Sequence, residues 1–132
     1  MATGTAGDQA RVQPRQVVNT WRKQINFGDA GNGVNQNGVM LPAGAFISFV
    51  AVEIVTAFDG TASIIVGTGA TPNNIVATGD VNELVAAVYV ATRGYGRSLT
   101  AAADTQVYTR LTSTSPTVGQ AEIVIQYEGN AG

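Results

Sequence analysis

The residues with the strongest claim to chemistry lie between positions 64 and 104. Ile64-Ile65-Val66 runs into Gly67-Thr68-Gly69, the way a phosphate-binding turn leaves a strand. A dinucleotide site needs a third glycine opening a helix within a βαβ unit, so that the helix N-terminus faces the pyrophosphate. Here Pro72, Asn73 and Asn74 follow, then the short apolar run Ile75-Val76, and the glycines read instead as a turn closing a β-strand. No Gly-Lys-Ser/Thr step is present for a Walker-type loop. Asp80 and Asn82 have the spacing that opens a calcium loop, but the downstream glycine and bidentate glutamate are missing. They read as solvated turn residues. Asp80, Glu83 and Asp104 are the carboxylates that folding would have to bring together in a hydrolase. Histidine and cysteine are absent, which removes the Ser-His-Asp triad, thiol nucleophiles, disulfides and thiolate metal sites. No catalytic, cofactor-binding or metal site is expected, and no small-molecule substrate.

Two basic groups remain. Arg93-Gly94-Tyr95-Gly96-Arg97 sets an aromatic ring between two guanidinium groups on a glycine-flexed loop, a pattern suited to a nucleic-acid strand or an acidic protein surface. With a pI near 4.8 there is no broad basic footprint, so nucleic acid is not an expected partner and the loop (Arg93, Tyr95, Arg97) reads as an intersubunit contact. The second group is N-terminal. Residues 1–28 hold Arg11, Arg15, Arg22 and Lys23 against Asp8, net +3, whereas residues 29–132 hold three arginines against eight carboxylates, net −5. A basic segment on an acidic body suits docking on an acidic surface, where arginine pairs bidentately with carboxylates. The same segment also reads as a solvated terminal tail.

The elements that position these groups are strands. Residues 1–16 hold only Met1 and Val12 as larger apolar groups and read as an extended arm, leaving residues 17–132 as the folded domain. From Val17, apolar Trp21, Ile25 and Phe27 alternate with polar Thr20, Arg22, Gln24 and Asn26, a half-buried strand. Lys23 interrupts its apolar face, as in edge strands that must not pair with strangers. Residues 28–38 form a glycine- and asparagine-rich loop in which Asn37-Gly38 suits a tight turn. Ala45–Phe58 carries large apolar residues on both alternating faces and predicts a strand covered on both sides, by this domain or by another subunit. Asp59-Gly60 predicts a hairpin into Thr61–Val66. Asp80–Glu83 has the form of a capping box, which predicts at most one helical turn near residues 80–84 before a strand from about Ala86 to Thr92. Thr105–Leu111 turns Val107 and Leu111 inward, Ala121–Tyr127 turns Ile123, Ile125 and Tyr127 inward, and Ser113–Gly119 joins them.

Short strands at 8–15-residue spacing without a long helix predict an all-β, antiparallel β-sandwich or jelly roll of about eight strands. At 132 residues such a domain buries roughly two-thirds of the surface of its unfolded chain. Charged residues make up 12% of the chain, about half of the roughly 25% usual for soluble domains. So weakly ionised a surface is either covered by other subunits or merely rich in Thr, Asn and Gly. The N-terminus shows no signal-peptide pattern, and the longest apolar stretch is shorter than the ~20 residues of a spanning helix, so no membrane partner is expected.

The stretches DGTASIIVGT and IVATGDVNE, a threonine- and serine-rich loop and the terminal GQAEIVIQYEGN resemble small virion proteins of tailed bacteriophages that decorate or cement the capsid. The resemblance spans about residues 41–129. It implies a β-sandwich, often a jelly roll, commonly a homotrimer on the outer capsid surface, made in the host cytoplasm and carrying arms that clasp the major capsid protein. It brings no catalytic residues. Under this resemblance Arg11, Arg15, Arg22 and Lys23 become candidate capsid contacts. Tail or fibre components share the composition, and a carbohydrate-binding sandwich is the alternative outside the virion.

Overall fold

β-Branched runs separated by glycine- and asparagine-rich turns give seven strands in a computed structural model, which describes residues 18–29 and 31–129. They are β1 (Val18–Asn26), β2 (Gln36–Leu41), β3 (Phe46–Thr56), β4 (Thr61–Gly67), β5 (Val88–Val90), β6 (Thr105–Thr114) and β7 (Gln120–Glu128). One sheet is ordered β1-β7-β3-β5 and the other β2-β6-β4, with every pairing antiparallel. The inner faces of the two sheets close on one core that includes Leu41, Ile47, Ile54, Ile64, Ile123 and Ile125.

The chain changes sheet at every step from β1 to β7. Val76 pairs with Val66 through an isolated antiparallel bridge and so stands beside β4 where an eighth strand would lie. Counting that position, the order is that of a jelly roll, two interleaved Greek keys over one core. The all-β sandwich expected from the sequence is the fold observed.

Inward alternation is clearest where the sequence showed it. Val107, Thr109 and Leu111 on β6 and Ala121, Ile123 and Ile125 on β7 are buried. Lys23 lies on an edge strand as its pattern predicts, because β1 ends the four-stranded sheet. Val17 and the arm, with Arg11 and Arg15, lie outside the described residues.

Several local expectations are corrected. Phe27 follows the end of β1 and is exposed rather than core-facing. Asn37-Gly38 is not a turn but lies in β2, where the register with β6 shifts between Asn37 and Met40. The Gln106 amide donates to the Gly38 and Val39 carbonyls there. A Cβ at Gly38 would lie 2.9 Å from the Val107 carbonyl oxygen and 3.2 Å from the Trp21 ring, so close backbone approach requires the glycine.

Strand β3 is not covered on both sides by the described residues. Register shifts at Ser48 and Val55 change the parity of the alternation, so that Ile47, Val50, Val52 and Ile54 all face the core. Phe46 and Val55 are 48% and 46% exposed. Asp59-Gly60 does not make a hairpin either, since β3 and β4 belong to different sheets. The stretch 80–84 forms turns without a helix, and the strand expected over residues 86–92 shortens to Val88–Val90.

Candidate functional site

The carboxylates singled out in the sequence serve backbone amides of loops and of β4. Asp59 accepts from the Thr117 and Val118 amides at 2.6 and 3.2 Å and from the Thr117 hydroxyl, and the hydroxyl bond above all holds its carboxyl below the usual range. Asp80 accepts from the Ala77 amide and from Arg93. Asp104 accepts from the Ala43 amide at 2.9 Å. Glu83 is buried, and its Oε2 accepts from the Ile64 amide at 3.0 Å. Burial pushes its carboxyl up, partly offset by that bond. Asp80, Glu83 and Asp104 therefore act on three separate stretches of backbone and do not converge. Among the described residues no group of three or more His, Cys, Asp or Glu is placed to hold a metal ion.

The Gly67-Thr68-Gly69 turn is closed from within. The Thr68 amide donates to Asn74 Oδ1, and Asn74 Nδ2 donates back to the Thr68 hydroxyl, each at 2.8 Å. Those groups are spent on the loop, and no helix follows to face an anion. The turn reading stands.

The basic residues are spread over both edges of the four-stranded sheet. On β1, alternation sends Arg22 and Lys23 to opposite faces. Arg22 is exposed and ion-paired with Glu122 on the outer face. Lys23 points between the sheets and donates to the Thr109 hydroxyl at 3.0 Å; burial lowers its pKa, with Asp29 opposing the shift. It lines a cleft of about 250 Å³ with Asp29, Gln36 and Thr109. The Arg93–Arg97 loop lies past β5, at the other edge, roughly 14 Å away by three strand spacings. Its three side chains diverge. Arg93 pairs with Asp80, Tyr95 packs against the core and donates to the Ala91 carbonyl at 2.7 Å, and Arg97 is exposed beside Ala43 and Ser98.

The most distinctive surface was not singled out in the sequence. Residues paired across neighbouring strands share a face, so the outer side of the four-stranded sheet carries the rows Arg22–Val124–Ala51–Val90 and Gln24–Glu122–Glu53–Val88. It is polar at β1, carries the exposed Glu53 on β3 and is apolar at β5. Val88 and Val90 are 58% and 54% exposed, and nearby Leu84 is 60% exposed. The available signal was the stretch Leu84–Thr92, nine residues without a charge. Aromatic platforms for a sugar are few: Trp21 lies over Gly38, leaving Phe27 and Phe46 as the exposed phenyl rings.

No protein-family model and no curated protein matches the chain. Its fold recurs in solved phage structures. A chain in the cyanophage Pam1 capsid asymmetric unit superposes with a TM-score of 0.65 at 18% identity, over 86% of this chain and 85% of that one. The acidic stable capsid of Helicobacter pylori bacteriophage KHP30 gives 0.65 at 20%, over 85% and 87%, and the capsid of Ralstonia phage GP4 gives 0.59 at 17%, over 88% and 86%. At these identities the likeness shows a shared fold, the jelly-roll sandwich, matched over nearly the whole length of each chain.

Proposed function

We propose that this chain is a structural component of a bacteriophage capsid, and within it a decoration or cement protein. It binds the outer surface of the shell as a homo-oligomer and bridges major capsid protein subunits. The observation that carries the reading is the recurrence of this fold in three phage capsid structures at 85–88% coverage of the chain. The uncharged apolar edge at β5 supports it, as does the engagement of the loop carboxylates in backbone hydrogen bonds. The role is one of attachment rather than catalysis, and many weak contacts made together supply the affinity.

The domain division belongs to the same proposal. Residues 1–16 form the arm, and Arg11, Arg15 and the exposed Arg22 meet carboxylates of the shell, with Lys23 adding positive potential from its cleft. The test mixes purified protein with undecorated shells. Saturable binding and a rise in the temperature at which shells break are expected; shells that gain no bound copies overturn the reading. Deleting residues 1–16 is expected to leave the thermal melt of the domain unchanged and to remove most of the shell affinity. An unchanged affinity would refute the role of the arm.

A further inference from the structure

A strand at a sheet edge offers unpaired N–H and C=O groups to any other chain, and folded proteins block or cover such edges. Three of the four edges here carry a device. On β1 the Lys23 amine points inward beneath the edge. On β2 the register shift at Gly38 and Val39 breaks the ladder, and Gln106 occupies both carbonyls. On β4, Val76 exchanges hydrogen bonds with Val66, and Glu83 takes the Ile64 amide.

The fourth edge is different. Ala87 and Ala91 turn their backbones to β3, through Ile54 N–H to the Ala87 carbonyl and Ala91 N–H to the Val50 carbonyl. The alternation of an antiparallel ladder then turns the N–H and C=O of Val88 and Val90 away from the sheet. Their side chains are more than half exposed, and Leu84 and Val85, just ahead of them in the chain, are 60% and 49% exposed. Together these expose an apolar area on the order of several hundred Å², the size of a typical monomer's largest patch, which is often functional.

We infer that β5 is the edge through which two copies of this chain associate. They pair antiparallel about a twofold axis at Tyr89 and join two four-stranded sheets into one of eight strands. The occupant follows from the sequence of the edge itself. Ala87-Val88-Tyr89-Val90-Ala91 reads the same in both directions, so antiparallel pairing centred on Tyr89 sets each Val88 against the partner's Val90 and each Ala87 against the partner's Ala91. No charge lies between Leu84 and Thr92. Along the edge strand itself a second copy therefore meets no like charge, Glu53 lying one strand further in, opposite Val88. With only Val88 and Val90 offering backbone groups, the joint is short, and burial of valine and leucine side chains supplies most of its strength. This inference rests on the homo-oligomeric part of the proposed function, and it names a twofold contact where the resemblance implied a threefold one.

The test uses the purified full chain without shells. Sedimentation over a wide concentration range is expected to give twice the 13.6 kDa of one chain, falling to one chain in Val88→Lys/Val90→Lys, with Val34→Lys, at an exposed site outside the patch, unchanged. Because the chain has no cysteine, Val88→Cys and Val90→Cys chains can also be mixed and oxidised. Position 88 facing the partner's 90 makes the mixed disulfide the dominant product. A monomer, a trimer, a dimer indifferent to the lysine pair, or a preference for like-with-like disulfides each overturns the inference. A monomer that still binds shells would remove this contact and leave the decoration reading standing.

Discussion

Gly119→Ala tests whether the clamp around the β6–β7 loop is as tight as its geometry indicates. Gly119 has φ +152°, and a Cβ there would fall 2.2 Å from Phe58 Cδ2 and 2.5 Å from Cγ. Phe58 is 2% exposed, so its ring has nowhere to swing. The residues just before Gly119 are tied to Asp59, and the Gly119 carbonyl accepts from the Phe27 amide at 3.0 Å, so the backbone is held from both sides. A side chain at this φ costs about 1–3 kcal/mol, and overpacking a filled core adds about 1–3 kcal/mol. A total near 4 kcal/mol is a large part of the ~5–15 kcal/mol that stabilises a domain, and it lowers the melting temperature by roughly 10–20 °C. Urea denaturation at fixed protein concentration measures the loss. A double-mutant cycle with Phe58→Leu isolates the ring contact and is expected to return about 1–2 kcal/mol of coupling. A Gly119→Ala chain within about 1 kcal/mol of the parent, or strict additivity in the cycle, would refute the reasoning.

Ile125→Ala empties a fully buried position on the central strand β7 and should cost about 3–4 kcal/mol, whereas Val124→Ala, on the outer face, should cost under about 1 kcal/mol; equal losses in chemical denaturation would contradict the assigned faces. Glu83 has a raised pKa in the fold because it is buried. Between its ordinary value of 4.5 and its folded one, the native chain holds more protons than the unfolded chain, so this group's contribution to stability falls as pH rises. Glu83→Gln keeps an acceptor for the Ile64 amide and removes that step, so urea midpoints from pH 4.5 towards neutrality should decline less than in the parent. A parallel decline in the two proteins would show that Glu83 does not titrate in this way.

The parts of the fold that were legible in the sequence are those where one residue's neighbours decide its environment. Val107 and Leu111, or Ile123 and Ile125, alternate without interruption and so announce both strand and buried face. Lys23 within an apolar face marked an edge strand for a physical reason, the cost of an open ladder, and that reason operates in the fold. The misreadings share another cause. Asn37-Gly38 and Asp59-Gly60 carry the local chemistry of tight turns, but in a jelly roll successive strands mostly belong to different sheets, and long-range pairing overrules the dipeptide. Asp59 is spent on Thr117 and Val118, far along the chain. The double apolar face of β3 came from parity switches at Ser48 and Val55, which periodicity alone cannot locate. As for surfaces, charged residues drew attention to Arg93 and Arg97, while the uncharged edge between them and Glu83 passed as an ordinary strand.

The alternation of strands between sheets also governs how the molecule comes into being. Among the described residues β1 finds its hydrogen-bonding partner only in β7, with Val18 opposite Glu128, so β1 must wait until the other six strands have been made. β3 is in the same position, gripped on one side by β7 and on the other by the brief β5. Closing such distant ends loses chain entropy before any contact compensates, which places folding in the slow, millisecond-to-second class. A nascent chain that stops short of residue 120 can pair β2-β6-β4 but lacks the β7 that joins β1 to β3, so the four-stranded half of the sandwich stays open and its greasy strands remain exposed to neighbours on the polysome. The sandwich as a whole closes only once β7 is at hand.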